Sequence, residues 1–476
     1  MNTEKVLNFF REITRIPRES GHEEQMTAYL QRFAAERSLA CRTDEVGNVV
    51  ISAPASEGYE DHPAVILQGH TDMVCEKKEG SAFDFSKDPI SYVIEDGWMI
   101  ARDTTLGADN GIGVAAALAV LDAPSIARPR IECLFTVSEE TGLDGARAVK
   151  KGFVTGKTLI NLDDEDEGCF CVGCAGGMDT VGTFHYKLQK LEKGRVAMKF
   201  AISGGKGGHS GDDIDKGRMN GVQQIARFVH ESWKYGTQLC WISAGNKRNA
   251  IARGGEAVLS VPALGVKRMT ARFEDFAARL KAEYAVTDPG LQFECGEIAW
   301  KKGAIDSETA RNLVSALIAI PHGVMSMSAD IPGLVETSTN LASVKMAEGR
   351  KIIVGTMQRS SVNSQRVFLS QRVATVMELA GAKIRHSDGY PGWKPNMHSH
   401  VKDVCVASYK RIFGREPVVR AIHAGLECGL FTEKFPDMDM IAFGPTLRGV
   451  HAPGERLDLA SLDRFWAVLL DVLKNL

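Results

Sequence analysis

Histidine and carboxylate residues of this chain fall in a few close groups: His70 with Asp72, Asp109, Glu139 with Glu140, and Asp163. Imidazole nitrogen and carboxylate oxygen together form the donor set of zinc and similar divalent ions. Their placement strengthens that reading. His70 and Asp72 follow a β-rich run at 64–67, the two glutamates follow one at 131–137, and Asp163 follows one at 158–162. Asp109 immediately precedes a helix-like run at 111–121. In an open α/β sheet, ligands bind outside the C-terminal ends of the strands, so three strands deliver these groups to one place. Taken singly, an aspartate before a helix reads as an N-cap, and paired glutamates after a strand as a solvated loop. Taken together, the carboxylates would repel one another unless a cation sat among them. The pattern therefore predicts a metal site.

The elements that must hold these groups alternate. Ser20 is a candidate N-cap for a helix over 22–39, whose apolar residues Met26, Tyr29, Leu30 and Phe33 recur at helical spacing. Strands are predicted at 48–53, 64–67, 131–137 and 158–162, with the 111–121 helix between the second and third. The pattern resumes near the C-terminus with a helix at 401–413, strands at 417–422 and 438–443, and a helix at 462–476. Between the two ends, strands at 196–202, 238–242 and 352–357 mix with helices at 221–233, 273–284 and 364–379, an α+β pattern. The expected organisation is a two-domain α/β protein, with one domain from residues 1–175 plus 390–476 and an inserted α+β domain over 176–389. A chain of 476 residues is long enough for both.

Composition excludes several classes. Apolar residues make up 44% and charged residues 25%, the balance of a globular enzyme. Lys and Arg number 57 against 60 Asp and Glu, a net charge of −3, so no global field attracts nucleic acid or an anionic membrane. The longest apolar run, 112–121, is far short of the roughly 20 residues of a membrane span, and the N-terminus lacks a secretory apolar segment. Ten cysteines without a disulfide-type spacing read as reduced thiols, so a cytoplasmic location is expected. Cys171 and Cys174, with Cys169 nearby, read as near-surface structural thiols, because no second pair stands at zinc-ribbon spacing. The 107–113 stretch has the wrong glycine spacing for a dinucleotide loop, 204–206 lacks the phosphate-loop spacing, and no HExxH occurs.

Six motifs in order carry a resemblance across nearly the whole chain: IPRESGHE at 16–23, GHTDMVCE at 69–76, TTLGADNGIG at 104–113, SEETG at 138–142, NLDDEDEG at 161–168 and GVHAPGE at 449–455. The chain resembles the M20 metallopeptidases, in particular their aminoacyl-histidine dipeptidase branch. That resemblance implies a zinc-exopeptidase-like catalytic domain and two Zn2+ ions bridged by Asp109. His70 and Asp163 would complete one ion, Glu140 and His451 the other. The same ligands accept manganese or cobalt. Asp164 and Glu165 stand beside Asp163 and compete for its role. The resemblance further implies a hydroxide shared by the ions as nucleophile, Glu139 as general base, and Asp72 as the residue that orients His70. It also implies a cis peptide after Asp109.

In the insert, GGHSG at 207–211 resembles a lid motif whose histidine, here His209, stabilises the oxyanion. Asn340 and Arg359 resemble residues that hold the substrate backbone and its terminal carboxylate, and Gly425 and Glu427 resemble pocket-shaping positions. The implied substrates are unblocked dipeptides, Xaa-His among them, with side-chain preference left open. Family analogy favours a homodimer, although so large a lid could supply internally what a partner supplies elsewhere. Two rivals are an N-acyl-amino-acid amidohydrolase of the same architecture and a metal- or peptide-binding module without turnover. The long insert and the MVCE continuation after Asp72 favour the dipeptidase, and an intact Glu139 argues against the binding module.

Overall fold

The sequence VILQGH of strand Val65–His70 is buried at every position. Such a strand needs cover on both faces, as parallel strands have. In the computed structural model, which describes residues 3–476, it lies parallel between Ile131–Thr136 and Thr158–Asn161. The register sets His70 opposite Thr136 and Gln68 opposite Asn161. The loops that follow all three strands therefore leave from one edge. The full sheet has eight strands, in the order Ala40–Thr43, Val49–Ala53, Ile131–Thr136, Val65–His70, Thr158–Asn161, Asp439–Ala442, Cys169–Cys174, Val418–Ile422.

Helix Ala108–Leu121 buries every residue except Asp109. Its alanine, glycine, valine and leucine side chains are apolar all round, the signature of a helix enclosed by core. Helices Glu4–Ile13, Glu24–Glu36, His400–Phe413 and Leu459–Asn475 add Phe10, Leu30, Tyr409 and Phe465 to the same core. The chain divides into two compact units. Met1–Cys174, Trp393–Ala421 and Leu426–Leu476 form this first one, and Ala175–Gly392 with Ile422–Gly425 form the second.

The second unit has a nine-stranded sheet whose long strands Val335–Ala347 and Lys351–Ser360 form an antiparallel pair. Its core includes Phe200, Phe228, Phe273 and Phe276, whose rings pack with centroids 4.7 to 6.3 Å apart. Phe200 comes from a strand, Phe228 from helix Gly221–Ser232, and Phe273 and Phe276 from helix Val266–Glu283, so this cluster ties both helices to the sheet.

Two local expectations change. Ser20 caps no helix: the first long helix begins at Glu24 after Glu23, while the Ser20 hydroxyl donates to Asp72 Oδ2 at 2.7 Å. A buried carboxylate that must be paired outcompetes a cap that water can replace. Cys171 and Cys174 are not near the surface. They lie on strand Cys169–Cys174, fully buried, and burial pushes their thiols up, beyond the usual range for Cys171 and to about 11 for Cys174.

Candidate active site

In the first unit, His70 closes its strand with the ring buried. Its Nδ1 lies 3.2 Å from Asp72 Oδ1, and its Nε2 lies 3.0 Å from Asp109 Oδ1 and 3.6 Å from Asp163 Oδ1. Asp109 turns its other oxygen to His451, with Nε2 3.0 Å from Oδ2, and His451 also reaches Glu140 Oε1 at 2.8 Å. One chain of contacts thus runs Asp163, His70, Asp109, His451, Glu140. Donor atoms of His70, Asp109 and Glu140 all lie within 4.8 Å of one another.

Backbone conformation matters here. Asp109 and Asn110 depart from helical angles at the start of their helix, and the bond between them is cis. Ser138 and His451 have φ of 50° and 59°, a left-handed region uncommon for residues other than glycine and frequent at functional sites. Ser138 is held there by Glu23, whose Oε1 accepts from its N–H at 2.8 Å and its hydroxyl at 3.0 Å.

Asp72 connects the ligand loops. It is fully buried, takes the Ser20 hydroxyl, and accepts the backbone N–H groups of Glu139 at 3.0 Å and Glu140 at 3.2 Å. Burial alone would raise its carboxyl, but His70, Ser20 and the Glu139 N–H together hold it down at about 2. It therefore stays an anion and fixes Nδ1 of His70 as the protonated nitrogen, leaving Nε2 to face the cluster.

The neighbouring acids behave oppositely. Burial, with the Asp109 and Glu427 charges, pushes Asp163 up to about 8, against the pull of His70. Burial, with Asp163, Glu140 and Glu427 nearby, lifts Glu139 well above its ordinary value despite His70. Glu165 rises to about 8 through burial and the charges of Asp109 and Asp163. So much crowded acid beside two imidazoles is the environment that a divalent cation neutralises. The donor set of two imidazoles and several carboxylates, with Asp72 already oriented behind His70, fits such ions.

The competition beside Asp163 separates by geometry. Asp164 is tied to Arg420 at 2.9 Å, and the same guanidinium takes Asp166 at 2.9 Å. Asp163 is the member of the loop within reach of His70. Glu427, expected to shape the pocket, makes its hydrogen bonds to strand residues. It is buried in the first unit, where Oε2 accepts from Gln68 Nε2 at 2.5 Å and Thr136 Oγ1 at 2.8 Å, and burial raises it to about 7. Asn161 Nδ2 extends this network to Gln68 Oε1 at 2.6 Å. Gln68 and Asn161 each stand two residues before a candidate ligand, and strand period two puts them on the same side as His70 and Asp163.

The second unit gathers the remaining candidates. His209 Nδ1 pairs with Asp212 Oδ2 at 3.0 Å, and its Nε2 lies 3.3 Å from Arg359 Nη2. Buried Arg359 also donates to Tyr390 Oη at 3.0 Å and Ser210 Oγ at 3.3 Å. Asn340 donates to the carbonyls of Arg248 and Ala250, both at 2.9 Å, while its Oδ1 is buried without a partner. A Cβ on Gly425 would lie 2.8 Å from the Tyr390 ring, so that glycine makes room for the tyrosine. Tyr390, Asp212 and Glu23 went unread in the sequence. The first two sit in no motif, and Glu23 was visible only as the last letter of IPRESGHE.

A parallel sheet edge that gathers imidazoles and crowded carboxylates, several of them raised by burial, defines a class of protein, hydrolases built around a divalent-ion site. Residues 66–475 match the model of peptidase family M20/M25/M40, and the chain belongs to that family. It is 36% identical over 477 residues to the cytosol non-specific dipeptidase of Escherichia coli, spanning 100% of this chain and 98% of that one. The crystal structure of aminoacylhistidine dipeptidase from Vibrio alginolyticus superposes with a TM-score of 0.89 at 37% identity, over 99% of this chain and 96% of that one. The aminopeptidase PepT of Bacillus cereus shares the fold, with a TM-score of 0.60 at 17% identity over 100% of this chain and 98% of that one. No helix among the described residues is long and apolar enough to cross a membrane.

Proposed function

We propose that this chain is a cytoplasmic, metal-dependent dipeptidase, in which His70, Asp109, Glu140, Asp163 and His451 would hold two divalent ions. The observation that carries the reading is the unbroken run of contacts from Asp163 to Glu140 through both imidazoles, at 2.8 to 3.6 Å. Full-length similarity to two dipeptidases, one of them a cytosol enzyme, supports the substrate class and the location. Zinc suits the donors, and manganese or cobalt would also be accepted.

The chemistry that divalent ions would supply there is polarisation of the scissile carbonyl and a lowered pKa for water. The rest falls to the chain. Glu139 takes a proton from the attacking water and returns it to the departing amine, a task suited to a carboxyl that burial raises above its ordinary value. Asp72 holds His70 by Nδ1 and braces Glu139 through its N–H. In the second unit, Arg359 binds the terminal carboxylate of the substrate through its planar fork. His209, oriented by Asp212, donates to the developing oxyanion. Asn340 offers its free Oδ1 to a substrate N–H.

The test is hydrolysis of alanyl-histidine, β-alanyl-histidine, leucyl-glycine, a tripeptide and an N-acetyl amino acid, before and after chelation and zinc restoration. Dipeptide cleavage that disappears with the metal and returns with it is the expected result. Cleavage of the acetyl compound alone would make the chain a deacylase, and stoichiometric metal binding without turnover would remove the enzyme reading.

A further inference from the structure

Glu455 ends the GVHAPGE motif, yet nothing in the proposed chemistry uses it. Its side chain is buried, and both oxygens are spent on backbone. Oε2 accepts the N–H groups of Leu106 at 2.8 Å and Gly107 at 3.0 Å, and Oε1 those of Ala108 at 2.8 Å and Asp109 at 3.3 Å. Four successive N–H groups closing on one carboxylate form an anion nest at the start of helix Ala108–Leu121. The last of the four belongs to Asp109 itself.

The same segment is gripped from its other side. Arg18, also buried, donates through Nη1 to the carbonyls of Thr71 at 3.0 Å and Asp72 at 2.8 Å, and through Nη2 to that of Gly107. Gly107 thus gives its N–H to Glu455 and its carbonyl to Arg18. Its φ is 68°, and a Cβ there would lie 2.3 Å from the Arg18 guanidinium, so the grip requires glycine. Backbone bonds add to it: Gly454 N–H to the Thr104 carbonyl at 3.0 Å, and Ala101 N–H to that of Glu455 at 3.0 Å. Strand Arg456–Asp458 continues the seam by pairing with Trp98–Ala101.

The loops gripped are those that carry His70, Asp109 and His451. We propose that Glu455, opposed by Arg18, is a positioning residue that sets the separation of Asp109 and His451 and so presets the site for its ions. It touches neither substrate nor metal. This inference rests on the metal reading above and concerns how tightly the ions are held. An amide at 455 would keep the shape, but it would lose the charge and turn N–H donors toward N–H donors.

The experiment is zinc titration against a chromophoric chelator, with urea unfolding of the metal-free protein and steady-state kinetics at saturating zinc, for wild type and Glu455→Gln. Wild type should take up two equivalents. Glu455→Gln should bind at least one of them about 10- to 100-fold more weakly, the range found when groups that orient metal ligands are removed. At saturating zinc its kcat should fall while KM for a dipeptide stays within about twofold, since the substrate contacts are untouched. Wild-type zinc affinity in the variant, with only a lower urea midpoint, would overturn the inference and leave Glu455 a structural cap. If Glu455→Gln does not fold, Glu455→Asp replaces it, with an expected loss of affinity of at least about threefold because the charge is drawn back by one methylene. Wild-type affinity there would overturn the inference equally. Failure of wild type itself to bind zinc, manganese or cobalt would instead overturn the metal reading, and this inference with it.

Discussion

The two units both concentrate polar groups, but they do so by opposite means. In the first, carboxylates crowd together at the edge of a parallel sheet, and burial together with one another's charge raises several of them above their ordinary range. In the second, Arg359 has a hydroxyl, a phenol and an imidazole for company, and His209 has its own aspartate. One cluster is rich in acid; the other carries an arginine with no carboxylate directly on it. An electron-rich site asks for metal, and an arginine left without a carboxylate asks for one from outside. On the proposed reading, the first unit would do the chemistry and the second would recognise substrate.

Removing the acid from the first unit should have the largest effect. Glu139→Gln should lower kcat by about 10²- to 10⁴-fold, the contribution of a general base, while chelator competition still finds wild-type metal affinity. A comparable loss of metal would make Glu139 a ligand and blur the contrast. Arg359→Ala should reduce kcat/KM for dipeptides by about 10- to 100-fold, the cost of one charged hydrogen-bonded pair. C-terminally amidated substrates should be barely affected. If the preference for dipeptides over tripeptides survives unchanged, the second unit does not read the carboxylate. Tyr390→Phe removes only the phenol from the guanidinium and should cost severalfold in KM, in line with about 1 kcal/mol for a neutral hydrogen bond.

The smallest effect tests whether the second unit tolerates charge where it is not paired. His322 is half-buried, its Nδ1 accepts the Leu341 N–H at 3.3 Å, and burial lowers its pKa to about 4. The unfolded chain, near the usual 6.5, takes up its proton first. Stability is therefore lost as pH falls from about 6.5 through about 4. After allowance for partial exposure, this is a loss of about 1–2 kcal/mol. His322→Gln should flatten that slope in urea midpoints measured from pH 7 to 4.5. An unchanged slope would place the acid sensitivity elsewhere.

The catalytic-side elements were legible because their signals are local. The run VILQGH, the strand at 131–137 and the apolar helix after Asp109 announce themselves within a few residues, and their ends were placed within about three positions. Helix Glu4–Ile13 was not read, and helix Val266–Glu283 begins seven residues before the expected 273. Its early turns, VKRMTAR, bury only Met269, so the apolar stripe is thin where the helix begins.

The sequence by itself determined the donor types, their order and their attachment to strand ends, because side-chain chemistry and strand period are properties of short stretches. Only the tertiary structure decided the partners. Asp164 goes to Arg420 and leaves Asp163 to His70, Ser20 serves Asp72 rather than a helix, and Glu427 joins Gln68 beneath the site. Each of those choices pairs residues 52 or more positions apart, or settles a contest between neighbours by what a distant residue takes first. A buried charge accepts whichever partner the packed chain brings within about 3 Å, and no local pattern encodes that distance.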